Sequence, residues 1–225
     1  MRRVAAFYQS TVGKKVAMAI TGFILVGFVI GHMLGNLKAF QGAEKFNHYA
    51  EGLRELGAPF FGHGQVLWLV RIALIVSVGA HVLAAAQLTL RSWRARPAKY
   101  HAAPHLELSY ASRTMRWGGV IIAGYVAYHL MHFTLGNAHP DFLPGDAYHN
   151  LVVGFQSPWV VAVYLVAVAM LTFHLYHGIW SALQTLGASH PAVNRWRRGA
   201  AAALALVVLT GFAAVPVGVF AGIIR

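Results

Sequence analysis

An all-α integral membrane bundle of five transmembrane helices is the fold class this sequence predicts. Three observations predict it. The 225 residues are 58% hydrophobic and 11% charged, with a mean hydropathy of +0.57, whereas a soluble domain carries about 25% charged residues. Five stretches lack Asp, Glu, Lys and Arg over 19 to 28 residues, and a helix needs about 20 to cross the hydrocarbon core. The basic residues gather in the connections on one side of those stretches. The composition excludes disorder, a collagen-like repeat and an ordinary soluble enzyme.

The charge-free stretches are 16–37, 72–90, 117–135, 159–186 and 199–224. With flanking turns they predict spans over 14–37, 66–92, 116–136, 158–187 and 198–224, within one domain covering 1–225. Arg2 and Arg3 precede the first stretch, as in a signal peptide. It is too long for a signal h-region and no small-residue cleavage site follows Leu37, so it reads as a retained span. The connection 38–65 mixes charges with Phe40, Phe46, Tyr49, Phe60 and Phe61 and predicts a short interfacial helix. The connection 92–115 is polar and carries Pro97 and Pro104, and 137–157 carries Pro140 and Pro144. Pro216 is expected to bend the last span.

The loop charges predict orientation. Arg2, Arg3, Lys14, Lys15, Arg91, Arg94, Arg96, Lys99, Arg113, Arg116, Arg195, Arg197 and Arg198 fall on one side, with Glu107 as the only acid there. The other side takes Glu44, Glu51, Glu55, Asp141 and Asp146. The positive-inside rule puts the N-terminus in the cytoplasm and the C-terminus outside, in a multi-pass protein of the cell inner membrane. The formal charge of +12 then reports insertion and anionic lipid headgroups, and nucleic acid is not expected as a partner. Trp68 and Trp159 mark outer ends, and Trp93, Trp117 and Trp196 inner ends. There is no cysteine, which excludes disulfides, thiolate nucleophiles and cysteine-ligated clusters within this chain.

Six of the 13 histidines lie inside the expected spans: His32, His81, His129, His132, His174 and His177. Ionisable groups in hydrocarbon are costly, so they point to function, the bland reading being interhelical hydrogen bonding. Their depths sort them. His32 lies ~8 Å and His129 ~10 Å below the outer ends of their spans, while His81 and His174 lie ~23 Å from the outside. Two pairs follow, His32 with His129 and His81 with His174, roughly 13–14 Å apart in level. Two imidazoles from two helices, with no acid or thiolate nearby, match the axial ligands of a six-coordinate b-type haem. Zinc wants three or four clustered ligands, and a proton relay usually includes a carboxylate. His132 and His177 share a helix face with His129 and His174 at i,i+3, so spacing alone leaves each choice of ligand open.

Several stretches then acquire a family likeness. They are Ser10-Thr11-Val12-Gly13-Lys14-Lys15, His32-Met33-Leu34-Gly35-Asn36-Leu37, Phe46-Asn47-His48-Tyr49-Ala50-Glu51, the run from Arg71 to His81, and the run from Gln87 to Arg96. Ser112-Arg113-Thr114-Met115-Arg116-Trp117-Gly118-Gly119, Tyr128-His129-Leu130-Met131-His132-Phe133 and the run from Phe173 to Ser181 complete the set. In this order the chain resembles the five-helix, di-haem cytochrome b membrane subunit of succinate:quinone oxidoreductases, the succinate dehydrogenases and fumarate reductases.

The resemblance implies His129 and His174 as the ligands of their spans, with His132 and His177 as alternative ligands or neighbours of the haem. It implies a proximal haem on His81 and His174 and a distal haem on His32 and His129. It also implies a flavoprotein subunit and an iron–sulfur subunit on the cytoplasmic face, and a quinone, menaquinone by the family's association with two haems. Electrons would pass from the soluble subunits through two b haems to the quinone; the chain itself has no dinucleotide fingerprint or flavin domain with which to oxidise succinate. Glu51 is the candidate proton donor to the quinone, with His48 and Tyr49 behind it. Lys14, Lys15, Arg91, Arg113 and Arg116 are candidates for propionates or the soluble partner. The chain departs from fumarate reductases that bury a glutamate in the fourth span; here that span has Thr172 and no acid. The competing readings are a fumarate reductase anchor running in reverse and a haem-free, histidine-based proton-coupled transporter.

Overall fold

The computed structural model of the chain describes residues 2–95 and 110–225. Every regular element among them is helical. They are α1 (Arg2–Gln9), α2 (Thr11–Leu37), a 3-10 turn (Lys38–Gln41), α3 (Ala43–Gly52), α4 (Gln65–Arg94), α5 (Tyr110–Phe133), α6 (Ala147–Gly154), α7 (Pro158–Thr185) and α8 (Pro191–Phe220). Arg96, Lys99 and Glu107, with Pro97 and Pro104, lie outside the described residues, and so does the Arg113 side chain.

The helix ends follow local chemistry. Ser10 caps α2 by accepting from the Gly13 N–H at 2.9 Å, satisfying one orphan donor of the first turn. Pro158 and Pro191 open α7 and α8, where a missing N–H costs nothing. His190 caps α8 by accepting from the Ala192 N–H. The last span therefore starts as a helix well before the charge-free stretch, and Arg195, Arg197 and Arg198 ride on its first turns. Pro216 lies inside α8, which continues to Phe220. The first outer connection holds a short helix, α3.

Among the described residues four helices are long and apolar enough to cross a membrane: α2 with its following 3-10 turn, α4, α7 and α8. The fifth long helix, α5, is less apolar, because Tyr125, Tyr128, His129 and His132 interrupt its hydrophobic run. The outward surface is apolar, with Ile75, Val76, Trp117, Val120 and Trp159 all prominently exposed. Water would not tolerate such a continuous apolar surface, and lipid does.

The helices α2 and α7 pack against each other and α8 packs against both. The helix α4 packs on α2 at one edge and α5 on α7 at the other. Two apolar cores result. One joins Phe46, Tyr148, Phe155, Tyr164 and Val219 at the end carrying α3 and α6, called the outer end below. The other joins Met33, Leu175, Ala201, Ala205 and Val208 further in. Small residues on α8 allow close approach, as expected where dispersion rather than hydrophobicity drives association.

The inner end is closed by α1. Lys14 is buried, its ammonium 4.2 Å from the centre of the Tyr8 ring. Arg91 donates to the Gln9 carbonyl at 2.6 Å and ties the end of α4 to this corner. A side chain at Gly13 would run into the backbone of Phe7 and Tyr8, which cannot yield without moving α1. Gly13→Val is therefore expected to swing α1 away and uncover Lys14. The check is labelling of the detergent-solubilised protein with an amine reagent, which should modify Lys14 several-fold faster than in the parent chain.

The outer end is held by a clamp between α3 and α6. Asp146 caps α6 by accepting from the His149 N–H at 2.9 Å, and it accepts from the Asn47 side-chain amide at 2.9 Å. The Asn47 oxygen accepts from the Tyr148 N–H. The His149 N–H, followed by the Asn47 amide, holds the Asp146 carboxyl below its ordinary value of 3.8. A carboxyl that binds its proton more weakly folded than unfolded stabilises the fold above the unfolded value. That contribution is lost as pH falls through the lower, folded value. Protection of the Tyr148 and His149 amides, taken relative to the intrinsic exchange rate at each pH, should thus stay flat from neutral pH down to about 5, then fall below 3.8. Asp146→Ala should lower it at all pH, at a cost of about 0.5–2 kcal/mol for a lost helix cap.

Candidate functional site

The long helices place the span histidines at two levels. At the outer level His32 of α2 and His129 of α5 meet with ring centroids 5.8 Å apart and planes at 80°. At the inner level His81 of α4 and His174 of α7 meet at 6.1 Å and 54°. The levels can be compared along single helices. His81 packs beside Gly22, ten residues before His32 on α2, and His174 lies beside Gly119, ten residues before His129 on α5. Ten residues of helix rise ~15 Å, close to the 13–14 Å expected from the sequence.

Each histidine pair joins two helices that are not main packing partners. The main packing partner of α4 is α2 and that of α5 is α7, whereas the imidazoles reach from α2 to α5 and from α4 to α7.

The outer pair is lined by aromatic rings. Phe28 stacks on His32 at 5.2 Å and Phe212 approaches it at 5.9 Å. Tyr125, Phe133 and Tyr164 stand 5.8–5.9 Å from His129. The inner pair is anchored on α2: His81 Nδ1 lies 3.1 Å from the Met18 carbonyl and 3.3 Å from the Thr21 hydroxyl. An Nδ1–H donated to that carbonyl leaves Nε2 as the nitrogen free to ligate, the usual arrangement behind a metal-bound imidazole.

The two alternative histidines face elsewhere. His132 is fully buried, with Nδ1 3.0 Å from the Tyr164 hydroxyl, and it stacks on His139 at 5.0 Å. It lies against Gly154 of α6, where a methyl group would meet its ring at 3.0 Å. His177 packs edge-on against Trp180 at 5.3 Å. Sequence reasoning missed Tyr164, whose hydroxyl sits between His129 and His132 at 3.2 and 3.0 Å. A tyrosine in the middle of an apolar run, obliged to find a partner for its hydroxyl, was the available signal.

The residues fit a haem iron on two counts. Metal–imidazole nitrogen bonds are about 2 Å, so two imidazoles on opposite sides of one ion stand with centroids roughly 6 Å apart. The donor set at each level is two imidazoles with no carboxylate, since all six acids of the chain fall outside the five long helices or the described residues.

At the outer surface Lys38, Gln41, Lys45, His48, Tyr49, Gly52, Leu53 and Leu56 line a recess of about 470 Å³. Tyr49 packs into the space left by Gly35, three residues beyond His32 on α2. Glu51 is exposed and forms an ion pair with Arg54 at 2.7 Å, so its carboxylate lies outside the set that lines the recess. Arg116 lies over Trp93 at 5.7 Å. With Lys14 against Tyr8 and Arg91 on Gln9, these basic residues already have protein partners.

Comparison with known proteins gives one family. The sequence profile described as succinate dehydrogenase/fumarate reductase transmembrane subunit matches residues 94–214, more than half of the chain. No curated protein and no solved structure matches the chain.

Proposed function

We propose, because the chain belongs to the succinate dehydrogenase/fumarate reductase transmembrane subunit family, that it is the di-haem cytochrome b anchor of a succinate dehydrogenase. It holds one b haem between His32 and His129 and another between His81 and His174. It links a flavoprotein subunit and an iron–sulfur subunit on the cytoplasmic face to a quinone, menaquinone by the family's habit. The observation that carries this reading is the pair of imidazole couples, 5.8 and 6.1 Å apart, each joining two helices that are not main packing partners.

The haems, when bound, supply one-electron transfer between two-electron carriers at either end. The chain's own residues do the rest. His81 is oriented by Met18 and Thr21, and His129 by Tyr164. Phe28, Phe212, Tyr125 and Phe133 exclude water from the outer level, and a dry setting strengthens the grip of each imidazole on a metal. In this reading α5 is the fifth span, its histidines and tyrosines turned toward the ligand rather than toward lipid. The basic residues at the ends of α2, α4, α5 and α8 keep the N-terminus in the cytoplasm and the C-terminus outside, in the inner membrane. The quinone site is the outer recess, with His48 and Tyr49 in its wall and Glu51 supplying protons from the adjacent turn.

The test is the visible spectrum of the purified protein. Dithionite should produce b-type α-bands from two haems per chain. Succinate should reduce both in the co-purified complex and drive quinone reduction. A colourless chain would overturn the reading.

A further inference from the structure

The Tyr164 hydroxyl touches two span histidines, and it does so deep in the bundle. It lies 3.2 Å from His129 Nδ1 and 3.0 Å from His132 Nδ1. Tyr164 is 5% exposed and His132 is 0% exposed. The second nitrogen of His132, Nε2, is buried without a hydrogen-bond partner. An unpaired polar atom in such a place is costly and calls for an explanation.

We infer that Tyr164 is a positioning residue for the outer haem, the middle of a one-way hydrogen-bond chain that ends on His132. This inference rests on the reading of His129 as an axial ligand. A neutral imidazole that ligates through Nε2 carries its proton on Nδ1. His129 must then donate to the Tyr164 oxygen. A phenol has a single proton, and it is left to point at His132 Nδ1. His132, accepting there, keeps its own proton on Nε2, the atom with no partner. Every proton is thereby placed by one choice, ligation at His129. The orphan at the far end is the consequence of keeping an acceptor behind the phenol.

The chain also has a direction of effect. An acceptor on Nδ1–H makes an imidazole a better donor to its metal, which favours the oxidised ion. His132 polarises the phenol and strengthens that acceptor, because linked hydrogen bonds reinforce one another. The inner level differs: there His81 leans on a backbone carbonyl at 3.1 Å, and His174 Nδ1 is buried without a partner. Tyr164 lies ten residues before His174 on α7, ~15 Å away along the helix, so it acts on the outer haem alone.

The experiment is a redox titration of the complex with Tyr164→Phe, His132→Leu and His132→Gln. The phenylalanine variant should raise the outer midpoint by up to tenfold in the redox equilibrium, which is 59 mV for one electron, and leave the inner midpoint in place. His132→Leu should raise the outer midpoint less. His132→Gln, whose side-chain oxygen can still accept from the phenol, should keep the parent value. An unmoved outer midpoint, or equal movement of both, overturns the inference while leaving the two-haem reading intact. If Tyr164→Phe does not assemble, the two His132 variants decide, and identical midpoints for leucine and glutamine overturn it. A parent complex without haem removes the reading and the inference together, and is seen in the first spectrum.

Discussion

Alanine at His81 or at His174 is expected to remove one haem of two. Both residues sit at the same inner level, 6.1 Å apart, and neither is within reach of the outer couple, which lies ~15 Å along the helices. Losing either imidazole leaves a single axial ligand on the inner iron. The described acids lie outside the long helices that frame that level, and His177 is turned onto Trp180, so neither is placed to replace the lost bond. The haem-to-chain ratio should fall from two to one. Succinate-dependent quinone reduction should fall by more than about 100-fold, beyond the 10–100-fold typical of removing a neighbour of a metal ligand. The remaining haem should titrate at its parent midpoint. Haem content by difference spectrum and protein by amino-acid analysis check this directly. An inserted variant that keeps both haems, or loses both, would break the pairing.

The levels were legible in the sequence because an α-helix has a rigid rise. Counting residues from the outer ends placed His81 and His174 together, and Gln65 to His81 and Pro158 to His174 are both sixteen residues in the structure. Rotation about each helix axis was not legible. His129 and His132 lie on one face, so depth and period could not separate them. Packing does so through the pocket made by Tyr164 and Gly154, and that pocket depends on α6, which no charge or hydropathy signal announced. The same holds for α1, too short for a span signal yet decisive for burying Lys14. Charge marks where a hydrocarbon-compatible run ends, not where a helix begins. Arg195, Arg197 and Arg198 end the hydrocarbon-compatible run, but the helix of α8 began with Pro191 and its His190 cap. Glu51 was chosen for its chemistry and its place in a motif; its ion pair with Arg54 could not be foreseen from either.

The second large effect separates the two histidines of α5. His129→Ala should lose the outer haem and retain the inner one. His132→Ala should retain both, at a cost of roughly 1–3 kcal/mol in stability from the lost packing and the phenol left without its acceptor. The measurement is haem content beside thermal denaturation in one detergent. For His132 to take the place of His129 opposite His32, α5 would have to slide by ~4.5 Å and turn by about 60°. That motion would pull His132 away from His139 and Gly154, and would carry His129 to the place of Val126. The aromatic wall of Tyr125, Phe133 and Tyr164 around His129 would be lost in the same step. A packed interior has few such alternatives. Haem loss in His132→Ala with retention in His129→Ala would therefore require a different packing of α5 on α7, rather than a mere exchange of ligands on the helix seen here.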